Sequence, residues 1–366
     1  MDSQFHNIIT YMLISVIVAG IIAVPLINIL YYFKVVRKIE VDFSTLIEDR
    51  KSKYGTPIMG GLIFILTILA VNWIFNFNVF TRIPLNIIAI TAMLGAADDL
   101  LNIFGSPRKF RNLDRSIKLI KVHKSIWVRL LTFIMLPWTL YVTIGHMFES
   151  NPGTGLRAHE KLLVQTMIGG VLGLWVFKLF GGLLWFPFLG TFDIGYLIIP
   201  FTIFTFVATV NAVNITDGMD GLSAGISVIA LIAFMMVAFI GNMYSTALFA
   251  VSAAGALITY LYFNISPARV QMGDTGSFAL GAIITTIAFS IGKPILLIFI
   301  GFPFILEISS TIIQSLSRRL FGRRVFQMAP LHHHFEMIGW REDKVVVRFW
   351  LFAIACSLLG LWLSFF

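Results

Sequence analysis

Apolar runs of about 20 residues recur along the whole chain, and they limit its fold more than any other feature. Of the 366 residues, 58% are hydrophobic and only 12% are charged, whereas soluble domains carry about 25% charged residues. Inside a bilayer the backbone polar groups must bond to one another, so runs of this length form membrane-spanning helices. The sequence therefore predicts an all-α, polytopic membrane protein that forms a single domain over residues 1–366.

Ten runs are long enough to cross a bilayer. We predict spans at residues 8–33, 58–80, 84–101, 162–181, 197–216, 222–241, 245–264, 277–292, 294–317 and 346–365. The first is too long for a signal peptide, and Lys34, Arg37 and Lys38 follow it directly. The positive-inside rule then places both termini outside. The net charge of +9 favours a membrane and anionic partners. We expect no nucleic-acid partner, because no basic face interleaved with aromatic residues occurs.

One apolar segment, residues 126–148, does not fit this count. A single extra crossing would place the basic loops after it on the wrong side, and it is too short for two crossings. We predict an interfacial or re-entrant element on the cytoplasmic side, within an inserted connection at residues 103–152. Lys118, Lys121, Lys124 and Arg129 suit anionic headgroups at that surface.

Residues 211–222 place two amides and two carboxylates between two apolar runs. Asn211, Asn214 and Asp217 are three residues apart, so on a helix they lie on one face. Gly218 lets the backbone approach a ligand closely. The alternative is a polar cap between two helices, with Asp220 capping the second. Carboxylates are costly within a membrane helix, which favours a functional site.

Two further acidic motifs lie at predicted helix ends. Asp98 and Asp99 are adjacent at the end of the third span, so their side chains point about 100° apart and can have different roles. A solvated helix end is the alternative, although acids at a helix C-terminus oppose the helix dipole. Asp274 follows Gly273 where the eighth span begins, and it is either a helix cap or a ligand for a divalent cation.

Three consecutive histidines, at positions 332–334, follow the tripeptide Met-Ala-Pro. Consecutive side chains point in different directions, so these imidazoles are not expected to share one zinc ion, but they can hydrogen-bond phosphate. Chance histidines in a loop are the alternative. Loops at 51–61 and 155–161 add Lys51, Thr56 and Lys161, which could equally be membrane anchors.

Under the predicted topology, all these motifs lie at cytoplasmic ends of spans. Carboxylate and amide oxygens suit Mg²⁺, while lysine and histidine suit phosphate. The pattern predicts phosphoryl transfer from a cytosolic diphosphate to a phosphate acceptor held in the membrane. A transporter is the non-enzyme alternative, but transporters place such groups near the midplane and often contain inverted repeats.

The motifs at 55–61, 98–99, 211–222, 272–277 and 328–336 together resemble the phospho-N-acetylmuramoyl-pentapeptide transferases, a branch of the polyprenyl-phosphate sugar-1-phosphate transferases. The resemblance implies a Mg²⁺-dependent transfer from UDP-MurNAc-pentapeptide to undecaprenyl phosphate, giving lipid I and UMP. It also implies ten spans, a homodimer and a place in the bacterial inner membrane with a cytoplasmic active-site cleft. A transferase of N-acetylglucosamine 1-phosphate is the nearest alternative.

The resemblance also implies roles for individual residues. Asp98 becomes the base that deprotonates the lipid phosphate, Asp99 lies near that phosphate or the metal, and Asp217 is a further acid of the site. The candidate catalytic residues are Asp98, Asp99, Asp217 and His333, and the candidate Mg²⁺ ligands are Asp274 and Asp217. The candidate substrate-binding residues are Lys51, Thr56, Lys161, Asn211, Asn214, Gly218, Met219, Asp220, Asn264, Gln271, His332 and His334.

Two positions depart from the family pattern. Gln271 stands where an aromatic residue is usual, which affects stacking on uracil, and Asn102 stands where a lysine is usual. The mechanism also stays open between direct attack by the lipid phosphate and a covalent enzyme–phosphosugar intermediate on an aspartate. We favour direct attack, because the lipid phosphate is already a competent nucleophile.

Overall fold

The computed structural model describes residues 2–36, 55–105, 113–123, 125–141 and 154–366, and helices dominate these ranges. The first helices are α1 (Asp2–Tyr32), α2 (Leu62–Phe75), α3 (Val79–Phe104), α4 (Leu113–Val122), α5 (Ile126–Ile134), α6 (136–141) and α7 (Ala158–Phe180). After two short strands follow α8 (Ile198–Thr216), α9 (Leu222–Ile240), α10 (Tyr244–Asn264), α11 (Gly273–Ser290), α12 (Leu297–Ile300), α13 (Phe302–Phe321), α14 (Leu331–Met337) and α15 (Glu342–Leu363).

Helix α11 forms the centre of the bundle. Every residue from Thr275 to Ser290 is buried, and the helix is apolar or small all round, as is typical of a helix surrounded by other helices. It packs mainly against α3 and α8, with α9 and α10 also in contact. The first residues of α11 are thereby held between the ends of its neighbours, which is where the acidic motifs lie.

The membrane spans agree with the prediction only in part. Seven described helices are long and apolar enough to cross a membrane, and an eighth span results if the bent pair containing α12 and α13 counts as one. The predicted spans 58–80 and 277–292 correspond to α2, which has only 14 residues, and to α11, whose first turn is polar. The chain is therefore a helical, multi-pass membrane protein, and ten crossings remain a prediction.

Two local features differ from the predicted all-α bundle of straight spans. The span predicted at 294–317 is bent by 77° where α12 meets α13. Gly301 and Pro303 lie at this break, and proline favours the first turn of a new helix. A two-stranded antiparallel hairpin, Leu183–Phe186 with Gly190–Asp193, also interrupts the helices. Gly190 has φ of 80°, a conformation that glycine adopts readily in tight turns.

Both ends of the chain lie on one face of the molecule. The Tyr244 hydroxyl at the start of α10 donates to the Gln4 carbonyl oxygen, and Lys293 Nζ donates to the Ser364 carbonyl oxygen. Near the same face, the Asn76 amide bonds to Ser245 between the ends of α2 and α10. The acidic motifs lie at the other ends of α3, α8 and α10. The termini and the acidic motifs are thus at opposite faces.

The described part of the inserted connection contains three short helices. The 126–148 segment begins as α5 and continues as α6 to residue 141, and its remainder lies outside the described residues. Helix α4 packs against α5, and α6 lies against the start of α7. No described helix of this connection is long enough to cross a bilayer.

Candidate functional site

A pocket of about 300 Å³ opens where the ends of α3, α8 and α10 meet the start of α11. Each element contributes polar groups because each carries one of the sequence motifs at its end. The polar lining residues include Asp99, Asn214, Asp217, Asp220, Asn264 and Asp274. Four carboxylates thus face one cavity at one end of the helix bundle.

Asp99 holds the first turn of α11. Its Oδ1 accepts a hydrogen bond from the Asp274 backbone N–H at 3.0 Å, and its Oδ2 accepts from the Thr275 N–H at 2.9 Å and hydroxyl at 2.6 Å. The first N–H groups of a helix have no partner within the helix and attract negative charge. A carboxylate from α3 therefore caps α11 and fixes the position of Asp274.

Two glycines permit this close approach of α3 to α11. At Gly95 an added Cβ would collide with the Asp274 carbonyl group, so only glycine lets the helices meet here. Gly273 has φ of 71°, which favours glycine, and its α-carbon lies against the Asp99 carboxylate. Backbone contact at these positions places the Asp98–Asp99 pair beside Asp274.

Lys161, from the first turn of α7, joins two carboxylates. Its Nζ lies 2.5 Å from Asp98 Oδ2 and 3.0 Å from Asp274 Oδ2. Asp98 is fully buried, and its Oδ1 accepts from the Leu156 backbone N–H at 2.6 Å. One ammonium group therefore compensates two carboxylates of low exposure. In this arrangement Asp98 does not line the pocket, because Lys161 and the Leu156 N–H occupy its carboxylate.

The two asparagines of α8 point in different directions. Asn214 Nδ2 donates to Asp274 Oδ1 and to the Ser277 hydroxyl, both at 2.8 Å, and it lines the pocket. Asn211 Nδ2 instead donates to Gln165 Oε1 at 2.7 Å on α7, away from the pocket lining. The prediction that both asparagines share a face with Asp217 is therefore met by Asn214 and not by Asn211.

The loop after α8 brings Asp217, Gly218, Met219 and Asp220 to the pocket wall. Asp220 Oδ2 accepts from the Ala268 N–H at 3.1 Å, so this carboxylate joins two loops instead of capping α9.

Asn264, at the end of α10, also connects two loops through hydrogen bonds. Its Oδ1 accepts from the Gly221 N–H, and its Nδ2 donates to the Val270 carbonyl oxygen, both at 3.0 Å. The loop that follows α10 is thereby tied to the loop that precedes α9.

Two of the three histidines approach the pocket through Gly218. An added Cβ at Gly218 would collide with His332 Nε2, and it would lie 3.2 Å from His333 Nε2. The buried Glu307 of α13 accepts from the His332 backbone N–H at 3.2 Å and contacts His332 Nδ1 at 2.9 Å. His332 Nε2 lies 3.2 Å from His333 Nε2, and His333 Nδ1 lies 3.1 Å from Glu336 Oε2. A continuous chain of polar contacts therefore runs from Glu307 to Glu336.

Three other predicted residues have different surroundings, and a fourth, Lys51, lies outside the described residues. His334 Nδ1 accepts from the Gln327 backbone N–H, so its ring faces its own loop. Thr56 is buried, while Gln271 lines the pocket and pairs through its backbone with Pro57 and Gly60.

The donor set fits a magnesium ion that keeps most of its water. Among residues 2–36, 55–105, 113–123, 125–141 and 154–366, no three His, Cys, Asp or Glu side chains form a ready-made metal site. Mg²⁺ does not need one, because it is commonly held by one or two carboxylates plus waters and substrate phosphates. Asp217 and Asp274 both line the pocket and supply oxygen ligands of this kind.

Sequence reasoning did not find several groups that organise the site. Thr275 and Ser277 fall inside a recognised motif, but their bonds to Asp99 and Asn214 depend on how α3 and α8 meet α11. Glu307 lies within the predicted ninth span, and its contact with His332 depends on how α13 meets α14. The backbone N–H of Leu156 carries no sequence signal at all.

The sequence is similar to known proteins over most of its length. The glycosyl transferase family 4 profile matches residues 81–292, more than half of the chain, which places the protein in this class of transferases. Three similar relatives are all called phospho-N-acetylmuramoyl-pentapeptide-transferase. The protein of Caldanaerobacter subterraneus is 33% identical over 86% of this chain and 84% of its own length. The protein of Clostridium novyi is 32% identical over 98% of this chain and 96% of its own length. The protein of Bacillus licheniformis is 33% identical over 87% of this chain and 86% of its own length. The chain belongs to the phospho-N-acetylmuramoyl-pentapeptide transferase family.

Proposed function

We propose that the protein transfers phospho-MurNAc-pentapeptide from UDP-MurNAc-pentapeptide to undecaprenyl phosphate, giving lipid I and UMP. The observation that carries the proposal is the full-length similarity to transferases of this name, combined with the acidic pocket at the helix ends. The pocket lies at one face of a membrane bundle, where a water-soluble nucleotide sugar and a lipid phosphate can meet. Peptidoglycan precursor synthesis at the bacterial inner membrane is the process this reaction serves.

The reaction exchanges one phosphoric anhydride for another. A phosphate oxygen of the lipid attacks the β-phosphorus of the UDP-sugar, and the bond from that phosphorus to the bridging oxygen breaks. UMP leaves with the bridging oxygen, and the sugar phosphate remains on the lipid as a diphosphate. Little covalent chemistry is required from the protein, so positioning and charge compensation account for most of the catalysis.

Asp217 and Asp274 are the residues that we assign to Mg²⁺. A bound divalent cation would neutralise phosphate charge that the four pocket carboxylates would otherwise repel. Asn214 and Lys161 hold the Asp274 carboxylate in a fixed orientation, and Asp99 holds its backbone.

Lys161 and Asp98 form the proton-handling pair of the proposed mechanism. When a phosphate draws Lys161 away, Asp98 loses its partner and becomes able to accept a proton from the lipid phosphate. His332 and His333, beside Gly218, would contact the diphosphate or the sugar. We also propose that the remaining candidate residues bind substrate, among them His334, Lys51, Thr56, Asn211, Met219 and Gln271.

The test is a UMP-release assay with the purified full-length protein. We expect release only when UDP-MurNAc-pentapeptide, undecaprenyl phosphate and Mg²⁺ are all present, and its loss when Mg²⁺ is chelated. Equal or faster release with UDP-GlcNAc would identify the chain as an N-acetylglucosamine-1-phosphate transferase. Solute uptake by proteoliposomes without any lipid acceptor would favour the transporter alternative.

A second assay separates direct attack from a covalent intermediate. With UDP-sugar labelled in the β-phosphate and no lipid acceptor, direct attack leaves the protein unlabelled. Label retained on the protein in wild type and lost in Asp98→Asn would establish an aspartyl phosphosugar instead.

We further propose a homodimer with ten crossings, both termini outside and the pocket on the cytoplasmic side. Analytical ultracentrifugation in detergent tests the dimer, since a monomer at all protein concentrations would exclude it. The dimer is independent of the reaction and can fail alone, whereas a pocket on the outer face would also exclude the cytosolic nucleotide sugar as a substrate.

A further inference from the structure

Helix α5 in the inserted connection has an apolar face that no described part of the protein covers. The opposite side of the helix carries Thr132, which is buried, and Arg129, which is half-buried. The exposed residues recur at helical spacing and are all large and apolar. They are Ile126, Trp127, Leu130, Leu131, Phe133 and Ile134.

The length of α5 decides how this face can be buried. Nine residues of helix extend about 14 Å, whereas the hydrocarbon core of a bilayer is about 30 Å thick. The helix therefore cannot cross the membrane. By lying along the membrane surface it can bury its apolar face, with that face turned into the leaflet.

Helix α4 supplies basic groups next to this face. Lys118 and Lys121 are exposed on it, beside exposed Ile117 and Val122. Basic and apolar residues together on one short helix are typical of elements that bind anionic membrane surfaces. Near such a surface each lysine strengthens the attraction about fivefold.

Helix α6 joins the connection to the reaction site. Pro137, Trp138 and Tyr141 form an almost wholly apolar groove with Leu163 and Thr166 of α7. Such a groove, next to a helix long and apolar enough to cross the membrane, suits a hydrocarbon chain.

The same helix contacts the first turn of α7. The Tyr141 hydroxyl donates to the His159 carbonyl oxygen at 3.0 Å, and the Trp138 and Tyr141 rings pack edge-on against the His159 imidazole. His159 precedes by two residues the Lys161 that joins Asp98 to Asp274. The position of α6 is therefore mechanically connected to the position of Lys161.

We propose that residues 113–123 and 125–141 form a docking surface for anionic phospholipids of the leaflet on the pocket side. The α5 face and the groove contact hydrocarbon chains, Lys118 and Lys121 contact headgroups, and docking steadies the first turn of α7 with Lys161. The effect on Lys161 rests on the proposed transferase function, whereas the docking itself does not.

Depth measurement by electron paramagnetic resonance tests the docking. In the full-length protein with the single cysteine removed (Cys356→Ser), a spin label is attached at Phe133→Cys in nanodiscs of phosphatidylcholine and phosphatidylglycerol. We expect oxygen to reach the label more readily than a water-soluble nickel complex, as at the exposed, lipid-facing Phe204→Cys. Nickel access equal to that of the loop control Arg324→Cys would overturn the proposal. Exclusion of both reagents would also overturn it, because a protein partner would then cover α5.

Titration with anionic lipid tests whether docking of the connection to the membrane affects the transferase activity through Lys161. UMP release is measured in phosphatidylcholine vesicles with increasing phosphatidylglycerol. We expect stimulation of wild type, and a severalfold higher phosphatidylglycerol requirement for Lys118→Gln/Lys121→Gln. The matched control Arg82→Gln/Lys178→Gln removes two basic residues elsewhere and should behave as wild type. If wild type, the Lys118→Gln/Lys121→Gln variant and the control variant all respond identically to phosphatidylglycerol, the proposed effect of docking on activity is overturned. Absence of UMP release in every membrane would count against the proposed function, while the spin-label result would stand.

Discussion

At the scale of single residues, the site depends on a few ionisable side chains of low exposure that contact one another. Lys161 lies between Asp98 and Asp274, and Glu307 orients His332. Removal of one partner from a buried ion pair is costly, because the other charge is left uncompensated. Two substitutions test these pairs separately.

Substitution of Lys161 should affect stability as well as activity. Lys161→Met leaves the fully buried Asp98 without its cation, which should cost about 3 kcal/mol of unfolding free energy. UMP release should fall to background, and the double variant Lys161→Met/Asp98→Asn should recover much of the stability without the activity. Thermal unfolding in detergent measures the first effect. Lys178→Met, in the last turn of the same helix, is the control and should change neither property.

Substitution of Glu307 should affect activity through the orientation of His332. Glu307→Gln can still accept from the His332 backbone N–H, but its amide donates to Nδ1 and so reverses the tautomer of the imidazole. We expect kcat to fall about 10- to 100-fold, with little change in thermal stability. Nitrogen-15 NMR of labelled histidine reads the tautomer directly. An unchanged tautomer together with unchanged kcat would exclude this positioning role.

At the scale of elements, the site is built where helix ends meet closely. Helix α11 is the common partner of α3 and α8, and Asp99 caps its first turn from α3. Small residues let membrane helices approach closely enough for backbone contact. The helix contacts therefore set the geometry of the carboxylates.

Gly95→Ala tests the contact between α3 and α11. The added methyl group would collide with the Asp274 carbonyl group, so we expect a loss of about 1–3 kcal/mol and a raised Mg²⁺ requirement as Asp274 shifts. Thermal unfolding and a Mg²⁺ titration of UMP release measure these effects. The control is Gly20→Ala in α1, where no heavy atom lies within 4 Å of the added Cβ. Equal behaviour of the two variants would contradict the prediction.

At the scale of the whole molecule, the termini and the pocket lie at opposite faces. Contacts between Tyr244 and Gln4, and between Lys293 and Ser364, hold the terminal helices on the face away from the carboxylates. Combined with the basic loops after α1 and α13, this arrangement favours a cytoplasmic pocket.

Cysteine labelling in intact cells tests this orientation. In the Cys356→Ser background, Phe366→Cys should react with a membrane-impermeant maleimide from outside, because both termini are expected there. Arg324→Cys, exposed in the loop after α13, should react only after the cells are opened. Reversed accessibility would place the pocket outside and would also remove the cytosolic nucleotide sugar as a substrate.

The sequence by itself determined the class of fold and identified most of the polar side chains that line the pocket. Long apolar runs form helices in a membrane because the backbone polar groups must bond to one another there, and carboxylates at the ends of these helices are costly, which favours a site. The predicted topology brought the motifs of Asn214, Asp217 and Asp274 to one side of the membrane, and all three residues line one pocket.

Only the tertiary structure decided which groups touch. The pairing of Lys161 with Asp98 and Asp274 joins residues far apart in sequence, as does the pairing of Glu307 with His332. The turn of Asn211 towards Gln165, the bend between α12 and α13 and the hairpin at 183–193 likewise depend on packing. Hydrophobic periodicity fixes which stretches become helices, whereas contacts between distant helices depend on shapes that no local pattern specifies.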